Sequence, residues 1–380
     1  MNIIGRIVVA GNVRRSAQIA IGDCDDVEYL QAKRWDLGGI PNWRAMSNNS
    51  VVCDDISKLP AEFWEGYNGN GEPYGLINLS ASRRMGRTFE IEYPDPDVQG
   101  FNPCAEQSLA NFETCCLAEI YLPNIEHYEE LKKVARYLYR INKHSLAIKC
   151  AVKETEDIVH KNMRMGIGVT GYLQATEEQR SWLADCYDYI RAYDKEYSQL
   201  AGYPASIKLT TVKPSGTLSL LAGVTPGAHP GYSEYYIRRI RMSADSSLAH
   251  AARKHGYPVE FVLNFDGTED KSTIVVSFPC KFPKGTMFAN DMTALDQLEV
   301  IKRLQAEWSD NAVSVTIYYR KEELDGIKEW LDKHFKNVKS VSFLLHNEHG
   351  FKQAPLEEMD EGAGALVWPI RAVFADHTPP

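Results

Sequence analysis

The sequence lacks the patterns that define several common classes of protein. No run of about 18 consecutive apolar residues occurs, which argues against a membrane-spanning helix. The start of the chain has no long apolar stretch followed by a small-residue cleavage site, so we expect no secretory signal. These two absences predict a cytoplasmic protein without a membrane partner.

Positive charge and closely spaced cysteines are also scarce. The 42 Lys and Arg residues are outnumbered by 51 Asp and Glu residues, which gives a net charge of −9. Proteins that bind the phosphate backbone concentrate positive charge, so we expect no nucleic-acid partner. The eight cysteines form no C-x-x-C pair and no Cys/His cluster with zinc-ligand spacing. We therefore expect neither a metal site nor a C-x-x-C thiol oxidoreductase.

What the sequence does contain is an alternation of β-rich and amphipathic runs. The β-rich runs are Ala17–Ile21, Ser50–Cys53, Gly75–Asn78, Thr114–Tyr121, Ile207–Val212, Thr273–Phe278, Val313–Tyr319 and Ser340–Leu345. Apolar residues recur at helical spacing in Glu126–Cys150, Glu177–Leu200, Ser243–His255, Ala294–Ser309 and Lys321–Phe335. In the first of these helices, Leu131, Val134, Leu138, Ile141 and Leu146 are expected to share one face. The alternation predicts a single-domain α/β fold with mostly parallel strands.

The first motif with chemical content is Asn102-Pro103-Cys104-Ala105-Glu106, which follows a loop rich in proline and glycine. In an extended segment, Asn102, Cys104 and Glu106 would point the same way and present an amide, a thiol and a general base to one ligand. A buried cysteine beside a solvated glutamate is the alternative interpretation of the same residues.

A second motif is the cysteine pair Cys115-Cys116, which opens a β-rich run. Neighbouring cysteines rarely bond to each other, because the geometry is strained. Successive strand residues face opposite sides, so only one of the two is expected to face the site of Cys104. Two thiols packed at the start of a core strand remain an alternative.

Two glycine-containing motifs suggest an anion site and a turn. Lys213-Pro214-Ser215-Gly216-Thr217-Leu218-Ser219 follows a β-rich run, and such a loop supplies backbone N–H groups and hydroxyls to an anion. An ordinary helix N-cap explains the same Ser and Thr residues. Gly166-Ile167-Gly168-Val169-Thr170-Gly171 has no predicted strand directly before it, so we interpret it as a close-packed turn.

Taken in order, these motifs resemble those of the ribonucleotide reductases, and specifically of the monomeric cobalamin-dependent enzymes that act on triphosphates. The matching segments are A-G-N-V-R-R-S-A-Q-I (10–19), N-P-C-A-E (102–106) with Cys115 eleven residues beyond Cys104, G-I-G-V-T-G (166–171), P-S-G-T-L-S (214–219) and N-A-V-S-V-T-I-Y-Y (311–319). Together they extend over nearly the whole chain.

The resemblance implies a ten-stranded α/β barrel of two five-stranded halves, with a finger loop threaded through its centre. Cys104 would form a thiyl radical at the tip of this finger and remove the 3′ hydrogen of a ribose. Glu106 would be the general base on the 3′-OH, Asn102 would hydrogen-bond the sugar, and Cys115 would be one of two reducing cysteines, with Cys116 as the alternative.

The resemblance also implies the ligands. The expected product is a 2′-deoxyribonucleotide, made from a ribonucleoside triphosphate with adenosylcobalamin as the cofactor and a thioredoxin-like protein as the reductant. The corrin would lie near the segment Val262 to Lys321. The residues expected to bind substrate are Ser16, Pro214, Ser215, Gly216, Thr217 and Ser219.

In the family, the other reducing cysteine, most of the effector region and a C-terminal cysteine pair lie in segments that this sequence does not contain. We therefore expect residues 1–380 to be an incomplete catalytic barrel domain that does not turn over alone and is completed by a second chain. A non-catalytic nucleotide-binding subunit is one alternative. Another is the large subunit of a diiron-dependent reductase, which would use Tyr318 and Tyr319.

Overall fold

The computed structural model describes residues 17–41, 43–44, 47–84, 86–88, 94–216, 218–263, 267–283, 285–346, 353–354 and 356–359. Two predicted substrate-binding residues, Ser16 and Thr217, lie outside the described residues. No helix in the described ranges combines the length and the apolar character needed to cross a membrane.

The strands are β1 (Gln18–Asp23), β2 (Ser47–Val52), β3 (Gly75–Ile77), β4 (Val98–Phe101), β5 (Ser108–Ala110), β6 (Leu117–Tyr121), β7 (Gly166–Thr170), β8 (Thr210–Thr211), β9 (Tyr235–Ser243), β10 (Val259–Leu263), β11 (Glu269–Lys281), β12 (Thr316–Tyr319), β13 (Ser340–Leu345) and β14 (Leu356–Glu358). The α-helices are α1 (Val27–Gln31), α2 (Ala61–Glu65), α3 (Leu79–Ser82), α4 (Tyr128–Leu146), α5 (Lys153–Asn162), α6 (Glu177–Ala201), α7 (Leu218–Leu221), α8 (Ser247–Lys254), α9 (Ala294–Glu307) and α10 (Leu324–His334).

Eight of these strands follow one another side by side in the order β6-β7-β8-β12-β13-β3-β2-β1. The join between β8 and the run before β12 is a parallel bridge from Val212 to Val313, flanked by a hydrogen bond from Ser314 N to Val212 O at 2.9 Å. Strands β6, β7, β8, β12 and β13 run parallel, and β3 pairs antiparallel to β13. The described residues thus form one five-stranded parallel half and three parallel strands of an oppositely directed half, as expected for the barrel.

Long helices cover the outside of this layer and bury its apolar faces. Helix α6 begins at a capping box, in which Thr176 and Gln179 satisfy each other's backbone N–H groups. Helix α4 buries Leu131 and Leu146, as its periodicity predicts, whereas Ile141 is 62% exposed. The prediction for Ile141 was wrong because the buried stripe of α4 runs through Ala135 and Tyr139 instead.

The glycine-rich run 166–171 was predicted to be a turn, and that prediction is wrong. Residues Gly166–Thr170 form β7, the central strand between β6 and β8, and all five are buried. A side chain at Gly166 would approach Leu117 Cδ2 within 2.7 Å and Thr211 Cγ2 within 2.8 Å. Close packing therefore does explain the glycine, but the contacts come from neighbouring strands and not from a turn.

A separate antiparallel sheet has the order β10-β11-β9-β14. Its strands β9, β10 and β11 lie between β8 and β12 in the chain, and β14 follows β13. The sequence predicted only part of β11 and neither β9 nor β10. Strand β9 (YYIRRIRMS) carries arginines at 238, 239 and 241, so it shows no simple alternation of apolar and polar residues. Pairing with β11 along nine residues holds it extended.

Candidate active site

Strands β4 and β5 pair antiparallel and form a hairpin whose tip, Asn102–Gln107, enters the barrel. The tip is a tight turn: Ala105 N donates to Asn102 O at 2.8 Å, and Gln107 N donates to the Asn102 side-chain oxygen at 2.9 Å. Ala105 has a φ of 60°, a left-handed conformation that is uncommon for a residue with a side chain. The prediction of an extended segment over 102–106 was therefore wrong.

Strands from both halves of the barrel hold this tip through its carbonyl groups. The donors are the side chains of Asn48 to Pro103 O, Ser314 to Cys104 O, Ser340 to Ala105 O and Thr211 to Glu106 O, at 2.5–3.1 Å. Four consecutive carbonyls are thus fixed from different directions, which sets the position of the side chains between them.

The base of the finger is fixed by a network of fully buried charges. Arg164, just before β7, donates to both oxygens of Asp95 at 2.7 and 3.0 Å and to Glu113 at 3.0 Å. Lys208, before β8, lies 2.9 Å from Asp95 and donates to Ser108 Oγ at 2.8 Å. Because Asp95 and Glu113 flank the two finger strands, this network ties the hairpin to the barrel wall.

The turn brings Asn102, Glu106 and Cys115 together. Burial raises the pKa of the Glu106 carboxyl, while hydrogen bonding from Asn102 and the charge of Lys213 act in the opposite direction. Burial also raises the pKa of the Cys115 thiol, with a further increase from Glu106, and Asn102 again opposes it. The Asn102 amide therefore interacts with both groups. The sequence predicted Asn102 and Glu106 on one face of an extended segment, whereas the turn is what brings them together.

Cys104 is a protonated thiol at neutral pH. Burial, followed by the charge of Glu106, raises the pKa of its thiol to about 11. A cysteine that reacts as a nucleophile or binds a metal does so as the thiolate, for which a lowered pKa is needed. The environment of Cys104 instead keeps the hydrogen on sulfur, which suits a group that gives and takes a hydrogen atom.

The two neighbouring cysteines face different surroundings. Cys115 interacts with Glu106, Asn102 and the Cys104 thiol. The Cys116 thiol points to Asn142 O on α4, at 3.9 Å, and packs against the hydrophobic core. Cys115 is therefore the member of the pair on the side of the finger tip.

A cavity of about 410 Å³ connects the finger tip to the serine- and glycine-rich turn. Its wall includes Cys104, Pro214 and Val313–Thr316, and it extends along β2, β3 and β13. The thiol and the start of the turn therefore border the same space, and the stretch Val313–Thr316 is the part of the segment 262–321 that reaches it.

The predicted phosphate-binding turn starts beside this cavity, but its two serines hydrogen-bond to each other. Ser219 N donates to Ser215 Oγ at 3.2 Å, and Ser219 Oγ donates to Ser215 O. Both side chains are buried, at 2% and 0% exposure. Gly216 O accepts a hydrogen bond from Arg238 at 3.0 Å. The Ser215 hydroxyl thus accepts a hydrogen bond from a backbone N–H group in the first turn of α7.

Two charged residues that were not predicted as site residues lie beside the finger tip. Lys213 opens the predicted turn and forms an ion pair with Glu119 of β6. Lys213 could have been predicted as a site residue from its place in the motif, whereas nothing in the β-rich run around Glu119 marks that residue.

The backbone of Gly227 packs directly against that of Lys213, and a substitution at Gly227 tests this contact. A Cβ at Gly227 would come within 2.2 Å of Lys213 O, and its φ is 57°. We expect Gly227→Ala to lower the free energy of unfolding by about 3 kcal/mol, from the left-handed backbone plus the overpacking. Gly223→Ala is the matched control, because its φ of 67° is similar but nothing lies within 4 Å; about 1 kcal/mol is expected there. Equal losses in denaturant titrations would contradict the steric explanation.

The comparisons with known proteins agree with this geometry. Residues 69–182 match the model of the ribonucleotide reductase barrel domain. A probable adenosylcobalamin-dependent ribonucleoside-triphosphate reductase of Dictyostelium discoideum is 36% identical over 95% of this chain and 48% of its own length. The enzyme of that name from Euglena gracilis is 35% identical over 94% of this chain and 49% of its own length. The chain therefore spans about half the length of these relatives.

Solved structures give the same result. A crystal structure of a B12-dependent, class II ribonucleotide reductase superimposes with a TM-score of 0.74 and 29% identity, covering 96% of this chain and 54% of the other. The α subunit of a class Id ribonucleotide reductase from Actinobacillus ureae, at 14% identity and a TM-score of 0.60, shares the fold. By sequence and by fold, the chain is similar to about half of a ribonucleotide reductase, the part that includes the barrel domain.

Proposed function

We propose that this chain is a catalytic barrel that reduces ribonucleotides, with triphosphates as the substrates, to 2′-deoxyribonucleotides. The observation that carries the proposal is the protonated Cys104 thiol at the tip of a finger inside the barrel, beside Asn102, Glu106 and Cys115. The names and coverage of the relatives support the same reaction. These names favour a cobalamin-dependent reductase over the diiron-dependent alternative.

The residues present, together with one further thiol, can supply the protons and electrons that the reaction needs. Cys104, as a thiyl radical, takes the 3′ hydrogen of the ribose while Glu106 accepts the 3′-OH proton and Asn102 orients the sugar. The 2′-OH leaves as water. Cys115 and a second thiol become a disulfide and supply two electrons and two protons, one proton to the departing water and one to C2′. Glu106 then returns its proton to the 3′ oxygen, and Cys104 returns the hydrogen to C3′. A thioredoxin-like protein then reduces the disulfide.

The substrate phosphates are proposed to bind along Pro214–Ser219, next to the cavity that Cys104 borders. Because the Ser215 and Ser219 side chains are engaged internally, backbone N–H groups of this turn are the donors we assign to phosphate. Ser16 and Thr217 remain predictions for the same role.

We propose that adenosylcobalamin approaches the finger tip from the side of this cavity. The Cys104 thiol there borders open space lined by Val313–Thr316, so a large group can approach the sulfur without displacing the buried Glu106. When bound, this cofactor supplies the radical that Cys104 receives. The chain's own contribution is to hold the thiol in place through Ser314 and Ser340 and to keep it protonated. The Cys104 side chain itself is exposed towards this cavity, so a bound cofactor or substrate would be what covers it.

The direct test adds adenosylcobalamin, a dithiol and a ribonucleoside triphosphate to the purified protein. We expect a deoxyribonucleotide product and a paramagnetic resonance signal from a thiyl radical coupled to cobalt. Nucleotide binding without product or signal would instead support the non-catalytic subunit. Repeating the assay with and without the second chain proposed to complete the barrel tests whether residues 1–380 turn over alone; multiple turnovers by the lone chain would exclude that requirement.

Substitution of the two neighbouring cysteines should separate their roles. We expect Cys115→Ser to stop after less than one product per enzyme in excess dithiol, because a disulfide cannot form. Cys116→Ser should keep turnover within about twofold, since its thiol faces α4. Product counted per enzyme over time is the measurement. A loss confined to Cys116→Ser would assign the redox role to Cys116.

A further inference from the structure

Lys213 lies two residues after β8, and Glu119 lies on β6, both in the five-stranded half. Glu119 pairs with Gly168, and Gly168 pairs with Thr211, so these three residues form one row across β6, β7 and β8. Lys213 follows Thr211 by two residues, and its side chain crosses β7 to reach Glu119. The carboxylate is 2% exposed and the lysine side chain is 22% exposed.

Gly168 leaves the space that this crossing needs. A Cβ at Gly168 would lie 3.8 Å from Lys213 Cγ and 3.3 Å from Ala118 O. Any larger side chain on this face would occupy the path of the lysine. The glycine, the lysine and the glutamate therefore form one arrangement across three strands, with Thr170 Oγ1 donating to the other Glu119 oxygen at 3.2 Å.

The lysine is paired with Glu119, and its charge also acts on groups of the finger tip. Besides Glu119, the groups that interact with it are Glu106, Cys104 and Cys115 near the finger tip and Tyr121 at the end of β6. Glu106 is 3% exposed, and its Oε2 atom is buried without a hydrogen-bond partner. Burial, and to a smaller extent the charge of Glu119, raise the pKa of Glu106, whereas Asn102 and the charge of Lys213 act to lower it. Thr211, in the same row as Gly168 and Glu119, donates to Glu106 O at 2.7 Å and so ties Glu106 to this arrangement.

We propose that Lys213, held across Gly168 by Glu119, is a positioning residue that keeps the Glu106 carboxylate ionised beside the finger tip. This inference rests on the proposed function, in which Glu106 accepts a proton. A purely structural ion pair between Lys213 and Glu119 would instead stabilise the sheet, and the pKa of Glu106 would not depend on the charge at position 213.

The test compares Lys213→Gln and Lys213→Arg in the purified protein. Glutamine keeps a hydrogen-bond donor for Glu119 and removes only the charge. The acid limb of kcat/KM against pH should then move up by about one unit, because loss of a nearby cation raises a carboxyl pKa. Lys213→Arg should return the acid limb to the pH of the wild-type protein. Lys302→Met, which breaks an exposed ion pair with Glu299 on α9, is the control and should leave the profile unchanged. An unmoved limb in Lys213→Gln would overturn the inference.

A second readout does not depend on turnover. The charge of Lys213 acts to lower the pKa of the Cys115 thiol, so its loss should slow alkylation of Cys115 by iodoacetamide about tenfold per unit of pKa. If the wild-type protein forms no deoxyribonucleotide, the proposed function fails, while slower alkylation in Lys213→Gln still supports the electrostatic role. Equal alkylation rates would overturn it. Should Lys213→Gln not fold, the double variant Lys213→Gln/Glu119→Gln, which leaves no carboxylate at position 119 without its lysine partner, should show a smaller change of the same sign.

Discussion

Replacing Cys104 with serine is expected to reduce deoxyribonucleotide formation by about four orders of magnitude, the scale for loss of an essential catalytic group. A serine O–H bond is much stronger than a thiol S–H bond, so the hydroxyl cannot replace the sulfur in hydrogen-atom transfer. The fold should be unaffected, because the tip is held through its backbone carbonyls, including that of residue 104 itself.

The matched control is Cys150→Ser, since the Cys150 thiol lies away from the finger tip and donates to Ile148 O of its own loop, at 3.7 Å. That variant should retain full activity and the resonance signal. Both variants should unfold at the wild-type temperature. If Cys104→Ser kept more than about one per cent of activity, the thiyl mechanism would have to be abandoned.

Replacing Arg164 with leucine is expected to lower the free energy of unfolding by about 3–5 kcal/mol, the cost of leaving buried charges without their partner. Asp95, Glu113 and Arg164 are all nearly or fully buried. Without the guanidinium, both ends of the finger lose an anchor, so activity should fall as well. Denaturant titration measures the first effect and product formation the second.

Lys161→Met provides the comparison for this substitution. Lys161 and Asp97 form an ion pair of similar length, 2.6 Å, but their side chains are 64% and 47% exposed. Its loss should cost about 1 kcal/mol or less. Comparable losses for Arg164→Leu and Lys161→Met would show that the buried network does not fix the finger.

The same network predicts a dependence on pH. Burial acts to raise the pKa of Asp95, but Lys208 and Arg164 outweigh it and hold the pKa at about 2. A carboxyl with a lowered pKa stabilises the fold above its unfolded pKa of about 3.9, and this contribution disappears as the pH falls towards 2. In Arg164→Leu the pKa of Asp95 rises, so acid unfolding followed by circular dichroism should begin at a higher pH. An unchanged midpoint would contradict this assignment.

Much of the barrel was predictable because local patterns decide it. All five predicted helices exist, since each buries an apolar stripe that recurs with the helical period. Strands β1, β6 and β13 follow from β-branched runs between turn residues. Strands β4 and β5 are short, three or four residues each, and carry no such run, so they depend on pairing with each other.

The site shows where this predictability ends. The sequence by itself predicted which groups would carry the chemistry: the resemblance rests on Asn102, Cys104, Glu106 and Cys115, which are close in the chain. Only the tertiary structure decided how they meet, through a tight turn in place of an extended strand, and that Lys213 reaches Glu119 over Gly168. The physical reason is that charge and burial act through space, and contacts between strands far apart in sequence leave no periodic signal along the chain.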